Sequence, residues 1–145
     1  MTKILFEENF IVCYFNPEIP VLAHRWKSHP SSSDLRAALM RMITHFKELK
    51  KNHPQLTWCG DTTNLGVISL DTQAWLTKEW PGIMVGAGIK YHALVVPKDV
   101  FAKFAMNKFK NNLDDHHGEQ IVISQFADES SAFQWLRHSV SLVKV

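Results

Sequence analysis

Ala93-Leu94-Val95-Val96 is the stretch that decides the fold. A strand with one wet face alternates apolar and polar residues, whereas a run without alternation belongs to a strand covered on both faces and paired in parallel. This run is the central strand of the expected sheet. Before it, Gly86-Ala87-Gly88 closes a helical stretch; after it, Asp99 offers an N-cap to another helix, with Val100, Phe101, Phe104, Ala105 and Phe109 as an uneven apolar stripe. A covered strand between two helices implies right-handed parallel crossovers.

The same alternation extends outward. Upstream, Leu56 to Gly60 reads as a strand and Asp61 to Ile68 as a loop. Ser69-Leu70-Asp71 then starts a helix that runs to about Trp80, where Pro81-Gly82 interrupts or kinks it. Further upstream, Ser31-Ser32-Ser33-Asp34 caps the clearest helix, with Leu35, Ala38, Leu39, Met42, Ile43, Phe46 and Leu49 at spacings of three and four; it must stop by Asn52-His53-Pro54. Phe10 to Phe15 and Val21 to Lys27 form an antiparallel hairpin across Asn16-Pro17-Glu18-Ile19-Pro20, and both strands carry apolar residues on both faces. Ile4 to Phe6 is β-rich as well, and downstream Ile121 to Phe126 is a strand and Asp128 to Leu136 a helix. The expectation is one α/β domain over residues 1–145: a mixed sheet of about five strands, with the hairpin at its antiparallel edge, and four main helices.

Composition narrows the function classes. At 145 residues one core fits and a second domain does not, and 46% hydrophobic against 21% charged residues describes a chain that folds. The net charge of +2 is spread along the chain, so no concentrated field exists for a phosphate backbone and nucleic acid is not an expected partner. Lys47 to Lys51 sits at a helix end, where cations suit the dipole. Glu7 and Glu8 fall where a signal peptide needs apolar residues, and no stretch approaches a membrane span, so the expected location is the cytoplasm. Cys13 and Cys59 lie in apolar strands without paired spacing and are expected as buried, reduced thiols.

Three stretches carry a family resemblance. They are Trp58-Cys59-Gly60-Asp61-Thr62-Thr63-Asn64-Leu65-Gly66-Val67-Ile68-Ser69 with Asp71 to Leu76 and Glu79-Trp80-Pro81; Ala87-Gly88-Ile89-Lys90 leading into Val95 to Lys103; and Ala132-Phe133-Gln134-Trp135-Leu136. Together with the element order they resemble STAS-type domains, in particular the small bacterial SpoIIAA-like proteins related to STAS and CRAL-TRIO domains. The resemblance implies architecture more than activity. In regulatory STAS domains a Ser or Thr preceded by Asp is phosphorylated at a helix N-terminus. Ser69 holds a similar place here, but Ile68 precedes it, so Ser69 is a candidate phosphosite that lacks the Asp-Ser dipeptide. The alternative role for Ser69 is the N-cap alone.

No phosphate-cradling Gly-rich loop, nucleophile elbow, His-Glu-x-x-His helix or Cys-x-x-Cys pair is present. His24, His29, His45, His53, His92 and His138 are scattered without ligand spacing, and Asp114-Asp115-His116-His117 is a loop cluster offering adventitious metal affinity at most. A catalytic dyad assembled from distant residues, for example His92 with Asp61 across neighbouring strand ends, is selected by nothing in the sequence. The expectation is therefore a non-catalytic binding or regulatory module without cofactor or metal. It meets a protein partner through the 61–71 loop and the following helix, with Asp61, Thr62, Thr63, Ser69, Asp71, Trp75 and Trp80 as contact residues. A homodimer through an edge strand of the hairpin is a further expectation. The alternative is a carrier of apolar, lipid-like small molecules related to CRAL-TRIO domains, built on Trp58, Trp75, Trp80, Met84 and Phe101, which otherwise are core.

Overall fold

The computed structural model of the chain describes residues 1–96, 107, 110–111 and 120–143. Its six-stranded sheet runs in sequence order: β1 (Lys3–Glu7), β2 (Ile11–Asn16), β3 (Val21–Trp26), β4 (Thr57–Asp61), β5 (Tyr91–Val95) and β6 (Val122–Phe126). The pairs β1–β2 and β2–β3 are antiparallel, and β3–β4, β4–β5 and β5–β6 are parallel. The non-alternating run thus lies inside the sheet with a parallel neighbour on each side. The antiparallel edge differs from the expectation. Both hairpin strands are internal, because β1 pairs outside β2, so a partner copy cannot pair with the hairpin directly. The edge strand β1 carries Lys3 and a 60% exposed Ile4, and its register shifts between Ile4 and Phe6. A short, partly charged, bulged strand is how proteins blunt an edge.

The helices start and stop where their side chains say they should. α1 (Ser32–Lys50) is capped by the Ser31 hydroxyl, which accepts from the Asp34 N–H at 3.1 Å, and its stripe from Leu35 to Phe46 is buried. The next helical stretch is two helices, α2 (Leu70–Lys78) and α3 (Trp80–Ala87). Pro81 cannot supply the N–H that a continuous helix needs and fits only the first turn of a new one, so the chain breaks at Glu79. Gly88 ends α3 at φ 86°, where a side chain would be strained, and its carbonyl accepts from Lys50 Nζ at 2.6 Å. α4 (Glu129–Val143) is longer than expected. The helix expected from Asp99 and the Asp114-to-His117 cluster lie outside the described residues.

Register puts different side chains on the two faces. Phe6, Cys13, His24, Gly60, Leu94 and Gln125 form one row across all six strands, and Lys3, Phe15, Leu22, Trp58, His92 and Ile123 the next row on that face. This face packs with α1, α2 and α3 in the main core. The opposite row, Ile4, Tyr14, Ala23, Cys59, Ala93 and Ser124, belongs to the α4 side, where Ala132 and Leu136 join the second core. Cys13 and Cys59 are both buried and unpaired, on opposite faces. Burial pushes the Cys13 thiol up to about 12 and Cys59 higher still, so neither is a ready thiolate. Among the described residues no helix is long and apolar enough to cross a membrane.

Candidate functional site

Two features lie at the ends of β3 and β4, and the first is the 61–71 loop. Asp61 accepts from the backbone N–H and the hydroxyl of Thr63 at 3.0 and 2.6 Å, which turns the chain sharply off β4. Thr62 is buried and donates from both N–H and Oγ1 to the Val95 carbonyl, at 3.1 and 2.6 Å, so it pins the loop to β5 rather than facing a partner. His29 donates to the Leu65 carbonyl at 2.9 Å, and Gln73 Nε2 to the Ile68 carbonyl at 2.9 Å.

The loop ends at a joint between two helix N-termini. Ser69 caps α2, accepting from the Thr72 N–H at 3.1 Å. Its hydroxyl also lies 3.0 Å from Ser32 Oγ in the first turn of α1, and Thr72 Oγ1 donates to Ser32 Oγ at 2.6 Å. These three hydroxyls tie α1 to α2 beside a cavity of ≈250 Å³ lined by His29, Ser31, Ser32, Ser69 and Thr72 among others. Asp71 points outward and pairs with Arg36, whose guanidinium sits 5.8 Å over the Trp75 ring. Trp75 is half-buried and stacks on the buried Trp80 at 5.5 Å. Of the seven residues expected to meet a partner, Asp61, Thr63, Ser69, Asp71 and Trp75 reach the surface to some degree, and Thr62 and Trp80 do not.

The second feature holds Trp58 and Trp80, which the apolar-ligand alternative names, together with His24 and Gly60, which sequence reading did not assign to a site. Between the sheet and α1–α3 lies a cavity of ≈50 Å³, lined by Trp58 and Trp80 with His24, His92 and Gly60 at its sheet side. His24 and His92 are 5% and 4% exposed, and the Nδ1 atom of each meets no hydrogen-bond partner among the described residues. Both rings flank Trp58, at 5.7 and 6.3 Å between centroids. Burial holds the His24 imidazole down to about 3, with His92 nearby adding to the effect, and burial holds His92 down to about 4, so both are neutral at physiological pH. Gly60 makes the arrangement possible: a Cβ there would stand 2.9 Å from His24 Cε1. A glycine inside a strand, marking close approach of a neighbour, was the sequence signal for this site.

No family model, curated protein or solved structure matches the chain. The site therefore has to be read from its own geometry. His92 and Asp61 do not form a pair: His92 is in register with Trp58 and Asp61 with Val95, on opposite faces of the sheet. Among the described residues no group of three or more His, Cys, Asp or Glu is placed to hold a metal ion. Trp58, Trp80 and Met84 are buried in the main core, and Phe101 lies outside the described residues.

Proposed function

We propose that the chain is a non-catalytic binding module of STAS type that meets a protein partner through the 61–71 loop and the start of α2. The observation that carries this reading is the pair Val67 and Leu70, 52% and 83% exposed on either side of Ser69. Apolar side chains of that size held in water on backbone fixed by Ser69, Gln73 and His29 favour an apolar surface that would cover them. The exposed Asp71 beside them suits a partner whose apolar pocket has a basic rim. Ser69 is the hinge of the arrangement as cap and tie. Ser69→Ala should cost about 1 kcal/mol, while Ser69→Asp, which also caps, should be close to neutral.

Leu70→Asp and Val67→Asp test the reading against Met40→Asp, an equally invasive change at a 41% exposed site on α1. Proteins retained by the tagged chain from its source cells should include one lost with either loop variant and kept with Met40→Asp. Identical sets from all the variants would remove the partner surface. The alternative, a carrier of lipid-like molecules, meets an argument of size. A cavity of about 150 Å³ takes one benzene ring, and the ≈50 Å³ beside Trp58 leaves no room for an acyl chain.

A further inference from the structure

The two edges of the sheet are built differently. β1 carries Lys3 and Glu7 and shifts register between Ile4 and Phe6, and each of these features discourages a further strand. β6 has neither device. From Ile121 to Ala127 the chain has no charge, proline or glycine, and β6 keeps an even register with β5 from Val122 to Phe126. Among the described residues no strand lies beyond it. Its ladder shows which backbone groups are free. The Val122 N–H donates to the Lys90 carbonyl and the Phe126 carbonyl accepts from the Val96 N–H, each at 2.8 Å. Backbone groups alternate sides along a strand, so Val122, Ser124 and Phe126 turn theirs toward β5, while Ile123 and Gln125 turn theirs outward.

We propose that β6 is a homodimer interface, in which a second copy of the chain adds its own β6 antiparallel about a two-fold axis at Ser124. In this register every outward backbone group of the strand finds a partner. Ile123 faces Gln125 of the second copy, and the pair exchanges both N–H and carbonyl. On the α4 side, Val122 at 40% exposure comes opposite the half-buried Phe126 of the second copy, an aromatic and β-branched pair at the close spacing of non-hydrogen-bonded residues. Ser124 meets its own counterpart at the axis, and nowhere in the pairing does a charge face a like charge. A second copy is favoured over a foreign peptide because this one strand supplies both halves of the match. The interface is separate from the 61–71 partner surface and stands whether or not that surface is used.

Sedimentation of the full chain over roughly 1 µM to 1 mM should show a monomer–dimer equilibrium, weak because so short a pairing lies at the small end of protein interfaces. Ser124→Lys and Ser124→Glu each set like charges face to face at the axis and should weaken association at least about tenfold, whereas an equimolar mixture of the two should restore it. Gln125→Pro removes an outward N–H and leaves the ladder to β5 intact, so it should give a folded monomer. Ile4→Asp, on the opposite edge, should leave the dimer unchanged. A wild type that stays monomeric up to about 1 mM would overturn the proposal. So would a dimer that survives in the folded Ser124 or Gln125 variants, a mixture no more associated than its components, or a dimer lost with Ile4→Asp.

Discussion

The two faces of the central strands solve the packing problem with different side-chain sizes. Toward α4 the row across β3, β4 and β5 reads Ala23, Cys59, Ala93, three small side chains that let a helix settle close to the backbone, with Ala132 and Leu136 fully buried in the same cluster. Toward α1–α3 the neighbouring rows read Leu22, Trp58, His92 and His24, Gly60, Leu94, so the largest side chain stands next to the absent one. An even row can be closed by one rigid helix surface. A row that pairs tryptophan with glycine leaves a void, and the two imidazoles border it.

The sharpest way to break this comparison is to remove its centre. Trp58 is 1% exposed and packs against Phe46, Trp80, His24 and His92. Trp58→Ala should cost about 3–5 kcal/mol, because the lost burial adds to a cavity already there. Urea unfolding at neutral pH measures it. A loss under about 1 kcal/mol would mean that the helices collapse onto the sheet and that the void is not fixed by the fold.

Acid tests the same face through its histidines. In the fold the rings take a proton only near 3 and 4, whereas the ordinary value for histidine is 6.5. Between those limits the unfolded chain holds more protons than the folded one, so stability falls as pH drops below 6.5. At pH 5 the loss should reach about 2 kcal/mol per histidine. His24→Phe should halve that dependence and cost little at neutral pH, since a buried unpartnered polar group is replaced by an apolar ring of similar shape. Chemical denaturation of wild type and variant from pH 8 to pH 5 checks both statements. A wild-type profile flat over that range would show that the imidazoles are solvated after all.

Fold and site were legible to different degrees for a physical reason. Ala93 to Val96 announced a doubly covered strand because burial on both faces leaves a local imprint, and the α1 stripe did the same at helical spacing. β1 was harder to count as a strand, since Lys3, Ile4 and Glu7 are exposed and an edge strand needs little apolar signal. The capping role of Ser69 was readable as one of two options, because a cap is a contact over three residues. His24 and His92 looked scattered because what unites them is register between β3, β4 and β5, a property of pairing across 68 residues that spacing does not encode. Gly60 alone hinted at it, by sitting in a strand without a turn to justify it.

The α4 face offers the converse test. Ala93 is fully buried in the cluster that holds Ala132 and Leu136. Ala93→Val adds volume where the row is uniformly small, and should cost about 1–3 kcal/mol despite the better strand propensity of valine. A neutral or stabilising result in urea unfolding would reveal slack on the face described as closed.

Gly60→Ala is the matched change on the other face and should have the smallest effect. The new Cβ meets His24 Cε1 at 2.9 Å, closer than such atoms approach, and Nε2 at a tight 3.1 Å, so the ring must give way. What it meets is the end of a side chain bordering open volume, not backbone, and the ring can swing into the ≈50 Å³ beside Trp58. Against that adjustment stands the gain from restricting the unfolded chain, about 0.4–1 kcal/mol for glycine to alanine where the backbone permits it. Gly60 is not among the glycines with positive φ, so the backbone does permit it. The two contributions nearly cancel, and the net change should stay within about 1 kcal/mol of zero, smaller than that of Ala93→Val, which adds two carbons to a filled row where Gly60→Ala adds one. If Gly60→Ala instead costs more than Ala93→Val, the void beside His24 is not room the fold can use, and the contrast between the two faces reverses.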